Sequence, residues 1–334
     1  MSGAETRAGA AGGAGGVGGA DGLRELRVES VRAAAEGVAE IVLRAPDGGS
    51  LPAWEPGAHV DLALPNGLVR QYSLCGDPRD AGRWRIAVLR ERDSRGGSAW
   101  LHDELRAGAT LPVSAPRNHF PLVDAEEYLF VAGGIGITPL LPMAAEVARR
   151  GLPWRLAYGG RTAATMAFAE ELCAAHGDAV ALTCDDRDGP LDLDALLGTP
   201  RDGVAVYCCG PEGLLAAVEA RCAAWPAGAL HVERFSPREG ALDGARSGFE
   251  VELAASGITL SVSPDETIAE ALEAAGIDVP TSCREGTCGT CETFVLDGEI
   301  DHRDSFLTEQ ERADGELMMV CCSRAAGPRL VLDL

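Results

Sequence analysis

Four cysteines towards the end of the sequence have the spacing needed to hold a pair of iron ions. Cys283, Cys288 and Cys291 form a Cys-x4-Cys-x2-Cys run, and Cys321 follows after a long gap. This is the plant-type spacing of a [2Fe–2S] cluster, which accepts one electron at a time. Glycine and threonine recur between these cysteines, so the backbone can wrap a cluster and donate N–H bonds to its sulfur atoms. A zinc site more often combines Cys-x2-Cys with a second such pair or with histidines, so the spacing favours iron. We expect Cys322, next to the fourth cysteine, not to be a ligand.

A glycine-rich run at 133–139 is a candidate nucleotide site. Gly133, Gly134 and Gly136 follow a predicted strand, and Thr138 lies where a predicted helix begins. Closely spaced glycines let the backbone approach a ligand, and N–H groups at a helix start attract phosphate. The same run also suits a plain tight connection between a strand and a helix.

A second tight turn strengthens the nucleotide interpretation. Cys209 and Gly210 follow another predicted strand, at the same carboxyl edge of the sheet, where open α/β sheets bind ligands. Asp185 and Asp186 follow a third strand, and an acid there disfavours the extra phosphate of NADPH. Arg161, after the second strand, would instead favour the extra phosphate of NADPH. On balance we expect NADH.

The segment Arg70-Gln71-Tyr72-Ser73-Leu74 is a candidate flavin-binding strand. Alternation along a strand places Arg70 and Tyr72 on one face and Ser73 on the other. The alternative to a flavin site is that Tyr72 is an ordinary core residue and Arg70 an ordinary surface residue. Nicotinamide delivers two electrons as hydride whereas the cluster accepts one, so a carrier that does both, such as a flavin, is needed between them.

Composition narrows the class of protein. The chain has 334 residues, of which 46% are hydrophobic, which favours two or three domains. Its net charge is −22 and every basic residue is arginine, without the basic stripe of a nucleic-acid binder. No signal segment and no apolar run of roughly 18 to 20 residues is present, so we expect a cytoplasmic protein with reduced thiols and no membrane span. The thiols of Cys75, Cys173, Cys184 and Cys222 are expected to be small core residues.

The hydrophobic pattern divides the chain into five parts. The composition of residues 1–22 predicts a disordered Gly/Ala tail, and short apolar stretches over 23–122 predict an antiparallel barrel or sandwich. Alternating strands and helices over 123–235 predict a parallel α/β domain, and 236–247 is a polar linker. A hairpin, a helix, the cysteine loop and a last strand follow over 248–334.

The last part is strongly acidic. Residues 248–334 contain 18 Asp and Glu against 5 Arg, a formal charge of −13, which is over half of the total. An ordinary solvated acidic surface would account for this charge. The functional alternative is a face that docks a positively charged electron acceptor, with steering that weakens as salt rises.

Together these motifs resemble the phthalate dioxygenase reductase and vanillate demethylase reductase family, the reductase components of Rieske-type oxygenases. The resemblance covers nearly the whole chain after the tail and rests on segments 70–75, 95–98, 116–120, 133–139 and 207–211 together with the cysteine loop. It implies an antiparallel Greek-key flavin barrel, a parallel α/β nucleotide-binding domain and a carboxyl-terminal β-grasp ferredoxin domain of the plant type.

The resemblance also implies cofactors and site residues. FMN is expected at Arg70, Gln71, Tyr72, Ser73, Ala87, Val88, Gly97 and Ser98, although these residues alone do not exclude FAD. NADH is expected at Gly133, Gly134, Gly136, Thr138, Asp185 and Gly210. Ser73, Cys209 and Phe235 are expected beside the reacting rings, with a core aromatic at the domain boundary as the alternative for Phe235. The cluster ligands carry over to Cys283, Cys288, Cys291 and Cys321.

The implied activity is electron transfer from NADH through FMN and the cluster to a Rieske-type aromatic oxygenase or demethylase, by a monomeric reductase. Two alternatives stay open. One is a reductase for another acceptor, such as a haem monooxygenase. The other is an electron carrier or redox sensor whose flavin and nucleotide sites have decayed, against which the intact motifs at 70–73 and 133–139 argue.

Overall fold

The computed structural model describes residues 22–92 and 94–334. All but the last residue of the predicted tail lies outside the described residues. The described chain forms three main sheets, two of them with five strands and one with six. The first and third sheets each enclose one hydrophobic core, and the second has a core on each face, one of which also includes barrel residues such as Cys75 and Ala87.

The first sheet is antiparallel and has six strands in the order β4-β3-β6-β1-β2-β5. Its strands are β1 (Arg24–Ala35), β2 (Val38–Arg44), β3 (His59–Ala63), β4 (Val69–Ser73), β5 (Trp84–Leu89) and β6 (Thr110–Val113), with helix α1 (Gly97–Asp103) between the last two. The edge strands β4 and β5 approach each other where the N–H of Cys75 donates to the carbonyl of Arg85 at 2.8 Å. Alternate residues such as Leu62, Trp84 and Ile86 fill the interior. The sheet therefore curls into a barrel.

The second sheet is wholly parallel, in the order β11-β10-β7-β8-β9. Its strands are β7 (Glu127–Gly133), β8 (Trp154–Gly160), β9 (Val180–Cys184), β10 (Val204–Cys209) and β11 (Leu230–Glu233), and its helices are α2 (Ile137–Arg150), α3 (Ala169–His176), α4 (Asp185–Asp188), α5 (Leu193–Leu197) and α6 (Glu212–Cys222). Helices cover both faces, which explains why β7 and β10 are almost wholly buried. The strand order reverses between these two neighbours, so their carboxyl ends mark the place where such sheets bind ligands.

The third sheet is mixed, in the order β13-β12-β18-β14-β16, with β12 and β18 parallel. Its strands are β12 (Phe249–Leu253), β13 (Ile258–Val262), β14 (Glu292–Asp297), β16 (Leu317–Met319) and β18 (Arg329–Leu332); β15 (Ile300–Asp301) pairs with β17 (Arg324–Ala325), and the helices are α7 (Ile268–Ala274) and α8 (Glu309–Asp314). A capping box of Thr267 and Glu270 begins α7, whose buried face packs on the sheet. The cysteine loop lies between α7 and β14.

The predicted fold class is confirmed: an antiparallel barrel, a parallel α/β sheet and a ferredoxin-like mixed sheet follow one another along the chain. The structure differs from expectation in several details. Short elements such as β6, β11 and β14 were not predicted, and Cys173 is exposed on α3 rather than in the core. The domain boundaries at 23–122, 123–235 and 248–334 stay predictions. Among the described residues, no helix is long and apolar enough to cross a membrane.

Candidate functional site

A cavity of about 880 Å³ lies where the three sheets meet. The barrel contributes Arg70, Gln71, Tyr72, Ser73, Ala87, Gly97 and Ser98 to its wall. The parallel sheet contributes Thr138, Arg161, His231, Glu233 and Phe235. The cysteine loop and its surroundings contribute Cys283, Thr287, Cys288 and Phe306. Most of the predicted flavin residues thus share the cavity with Thr138 of the predicted nucleotide site and with two of the four predicted cluster ligands. The other predicted nucleotide and cluster residues do not line it: Gly133, Gly134, Gly136, Asp185, Cys209, Gly210, Cys291 and Cys321.

Strand β4 forms the barrel side of the cavity. Ser73 is buried and lies opposite His59 in the β3–β4 ladder. Burial raises the pKa of Tyr72, whose ring is partly covered. From the neighbouring strand β5, Ala87 lines the cavity, whereas the side chain of Val88 lies in the barrel core. Val88 can therefore contact a ligand only through its backbone.

One end of the cavity has the character of a phosphate site. Arg70 lies across the start of helix α1, so that a Cβ on Gly97 would come within 2.9 Å of its side chain. Arg92, Ser94 and Ser98 line the same region. A guanidinium group, hydroxyl groups and backbone N–H groups at a helix start all favour a phosphate.

The two glycine turns of the parallel sheet pack against each other. A Cβ on Gly136 would overlap the carbonyl of Cys209, and one on Gly133 would come within 2.7 Å of Pro211. Gly210 in turn lies against the backbone of Gly133. These glycines are thus required by backbone-to-backbone packing at the point where the strand order reverses. Of the adjoining turn, Thr138 lines the cavity, and its hydroxyl donates to the carbonyl of Ile135 at 3.0 Å.

The predicted residues that discriminate between nucleotides lie at the ends of neighbouring strands. Arg161 follows β8 and lines the cavity, whereas Asp185 begins the short exposed helix α4 after β9. The N–H of Asp186 donates to the carbonyl of Arg161 at 3.1 Å, which holds the two strand ends together. The structure therefore brings both the acid and the base to one edge of the sheet.

Two residues at and just after the end of β11 line the cavity. Phe235 was predicted from the sequence, whereas Glu233 was not. Phe235 is 45% exposed and lines the cavity, which disfavours the alternative of a sealed core aromatic. Two residues before it, Glu233 accepts a hydrogen bond from Ser73 at 3.5 Å and lies beside Cys209 in the β10–β11 register. Burial raises the pKa of Glu233 to about 8, and the Ser73 hydroxyl lowers it by less. The available signal was the alternation of His231, Glu233 and Phe235 along β11 and just beyond it, where the strand ends at the ligand-binding edge.

The four predicted cluster ligands lie next to one another. Hydrogen bonds with the thiols of Cys288 and Cys321 lower the pKa of Cys283, and a hydrogen bond with Cys321 lowers that of Cys291. The backbone also faces these sulfur atoms. The N–H groups of Glu285 and Thr287 each donate to Cys283 Sγ at 3.4 Å.

The backbone of the loop fits the close approach that a two-iron cluster needs. Gly286 and Gly289 adopt φ values of 71° and 72°, and a Cβ on either would clash with Cys322 or with the Phe306 ring. This tight backbone lets N–H groups point at sulfur, as a cluster requires.

The cavity also has polar atoms that could pair with a bound heterocyclic ring. The Nε2 atoms of His59 and His231 are buried without a hydrogen-bond partner, and both residues line the cavity. Burial lowers the pKa of His59 to about 4, with the positive Arg117 as a further cause, so this imidazole is neutral at pH 7. Unpartnered buried nitrogen atoms are uncommon and often mark a group that binds there. A flavin or nicotinamide has the nitrogen, carbonyl and amide groups to pair with them.

Comparisons with known proteins agree with this site. The family of 2Fe-2S iron-sulfur cluster binding domains matches residues 251–326. The chain is 45% identical to the phenoxybenzoate dioxygenase subunit beta of Ectopseudomonas oleovorans, over 92% of this chain and 97% of that one. It is 43% identical to the vanillate O-demethylase oxidoreductase of Pseudomonas sp. strain HR199, over 93% and 99%.

Two solved structures are similar over almost the whole chain. Phthalate dioxygenase reductase, described as a modular structure for electron transfer from pyridine nucleotides to [2Fe–2S], is 38% identical with a TM-score of 0.70, covering 94% of this chain and 98% of that one. An intact type IV self-sufficient cytochrome P450 monooxygenase is 47% identical with a TM-score of 0.84, covering 93% of this chain. The present chain spans only 41% of that longer protein. From the shared cavity, the cysteine loop and these likenesses, the chain belongs to the phthalate dioxygenase reductase and vanillate demethylase reductase family, the flavin- and [2Fe–2S]-containing reductases of oxygenase systems.

Proposed function

We propose that this reductase passes electrons from NADH through FMN to its [2Fe–2S] cluster and then to the Rieske centre of a separate oxygenase or demethylase. The observation that carries the proposal is the shared cavity. Tyr72 and Ser73, the end of β11, and the ligands Cys283 and Cys288 all line it. Groups bound at these three places would be close enough for electrons to pass without leaving the protein.

When bound, the flavin would accept a hydride and release electrons one at a time. The chain supplies position and environment rather than an acid or base for the hydride. Tyr72 from the barrel and Phe235 from the parallel sheet offer aromatic surfaces to the cavity, and the Ser73 hydroxyl donates to Glu233 at 3.5 Å. Cys283 and Cys288 of the cysteine loop line the same cavity.

Support for FMN comes from the phosphate end of the cavity. Arg70, Ser94, Ser98 and the start of α1 converge on one place, as the single phosphate of FMN would need. Release of the flavin by denaturation and measurement of its mass tests this assignment. A mass of FAD would contradict it.

NADH rather than NADPH is supported by the acid at the end of β9. Asp185 begins an exposed helix with three acidic residues in its four positions, and a negative charge there repels a second phosphate. Arg161 opposes this effect from the neighbouring strand. We expect kcat/KM to be higher with NADH than with NADPH. The Asp185→Ala variant should reduce the ratio between these two kcat/KM values. A parent enzyme that prefers NADPH would contradict the assignment.

A haem monooxygenase is the second candidate acceptor. The observation in its favour is the likeness, at 47% identity, to part of a self-sufficient cytochrome P450 monooxygenase. The vanillate and phenoxybenzoate relatives favour a separate oxygenase instead. Reconstituting the purified reductase with a Rieske oxygenase, and separately with a P450, tests the choice through NADH consumed per product formed. Tight coupling to the P450 alone would overturn the Rieske assignment.

A further inference from the structure

Ser282, which immediately precedes the cluster ligand Cys283, is held by the barrel. Its hydroxyl donates to Asp61 Oδ1 at 2.8 Å and accepts from Gln71 Nε2 at 2.8 Å. Arg117 Nη2 lies 3.2 Å from the same hydroxyl. A residue next to the cluster thus has three barrel side chains as hydrogen-bond partners.

Asp61 is the centre of this group. It is 7% exposed, and its Oδ1 also accepts from Arg117 at 2.6 Å and from Gln71 at 3.3 Å. Asp61 and Gln71 are directly opposite each other in the β3–β4 ladder, so the sheet fixes their relative position. A buried carboxylate is destabilising unless it is paired and hydrogen-bonded. Ser282 therefore adds a third donor to a buried carboxylate oxygen that already accepts from Arg117 and Gln71.

A second contact holds the loop on the other side of Cys283. Arg95, in the segment before α1, forms an ion pair with Glu285. The Arg95 side chain is 64% exposed, and exposed ion pairs contribute little to stability. The edge of the Phe306 ring also meets His119, with ring centres 5.8 Å apart. The buried group around Asp61 is thus the stronger of the polar contacts.

We propose that Asp61 is a positioning residue for electron transfer: through Ser282 it anchors the cysteine loop to the flavin wall and so sets the geometry between flavin and cluster. Neither Asp61 nor Ser282 lines the cavity, so both act through their neighbours. This role rests on the proposed electron route. In the part of the chain that the structure describes, the hydrogen bonds of Asp61 and Ser282 are to the barrel and to each other and none is to the parallel sheet, so loss of the anchor loosens the cluster side of the cavity and leaves the nicotinamide side intact.

The test uses the cofactor-loaded protein and the variants Asp61→Asn and Ser282→Ala. One readout is hydrogen exchange at the amides of residues 282–285. The other is rapid mixing with NADH without oxygen, which follows flavin bleaching and cluster reduction separately. Loss of one charge-assisted hydrogen bond corresponds to about a tenfold change in the ratio of anchored to released loop. We expect exchange at 282–285 to be about tenfold faster and cluster reduction about tenfold slower, with flavin bleaching nearly unchanged.

Two further variants separate anchoring from general destabilisation. Ser282→Thr keeps the hydroxyl and should restore cluster reduction towards the parent rate. Thr267→Ala removes the helix cap of α7 in the same domain, away from the barrel, and should leave that rate unchanged. Unchanged exchange at 282–285 in both anchor variants would overturn the proposal, as would an equal slowing by Thr267→Ala. A parent protein that bleaches its flavin but never reduces the cluster would instead refute the electron route, while the exchange data would still report on the anchor.

Discussion

Glu233 shows how much of this site depends on single side chains. It lies between Ser73 on the barrel and Cys209 on the parallel sheet, and its raised pKa of about 8 leaves it mostly protonated at pH 7. Because the pKa is raised on folding, Glu233 contributes stability below its usual pKa of 4.5, and this contribution is lost as the pH rises towards about 8. Above that pH the cavity gains a negative charge.

This charge leads to a prediction for the first electron-transfer step. Hydride loss leaves a positive charge on nicotinamide, which a carboxylate at Glu233 would stabilise. Flavin reduction by NADH should therefore become about tenfold faster as the pH rises through about 8, and Glu233→Gln should abolish the rise. Rapid-mixing absorbance over this pH range measures both. An identical rise in the Gln variant would exclude Glu233 as its source.

At the residue scale, spacing alone predicts the four cysteines as cluster ligands, because three of them are close in sequence. The structure places these cysteines next to one another. Glu233 and Asp61 were not predictable in the same way. The partners of Asp61 include Ser282, which lies 221 positions away, and its role exists only once the two domains meet. Exposure of Phe235 was likewise decided by packing rather than by residue type.

At the scale of the elements, the two glycine turns give a direct prediction. Gly136→Ala would force a methyl group into the carbonyl of Cys209, so we expect it to lower the free energy of unfolding by about 1–3 kcal/mol. Gly213→Ala is the matched control, because its Cβ would meet nothing within 4 Å at the start of α6. It should be neutral or stabilising by roughly 0.4–1 kcal/mol. Denaturant unfolding compares the two, and equal effects would contradict the packing argument.

The periodicity of hydrophobic residues predicted those helices and strands that are long or that show a regular hydrophobic pattern. The alternating strands and helices predicted over 123–235 include the long helix α2, and the hairpin predicted near the start of 248–334 is observed as β12 and β13. Strand β6 was missed because it is only four residues long and contains Pro112, which interrupts a strand pattern. Its place is set by antiparallel pairing with β1 and β3, which a local pattern does not reveal.

At the scale of the whole molecule, the uneven charge bears on the partner. Residues 248–334 carry a formal charge of −13, so a positively charged acceptor would be steered towards the cluster domain. Raising NaCl from about 0.05 to 0.5 M should slow electron delivery to the oxygenase, because salt screens exposed charges. NADH-dependent cluster reduction within the reductase is the control and should hardly change. Delivery that is insensitive to salt would contradict steering by this face.

In the proposed electron route, one cavity connects a nicotinamide, a flavin and the [2Fe–2S] cluster. The most direct measurement is a titration of the purified protein with NADH in the absence of oxygen, followed by visible absorbance and electron paramagnetic resonance. We predict loss of flavin absorbance together with a rhombic signal from the one-electron-reduced cluster. A reduced flavin with a silent cluster, or no response to NADH, would contradict the account.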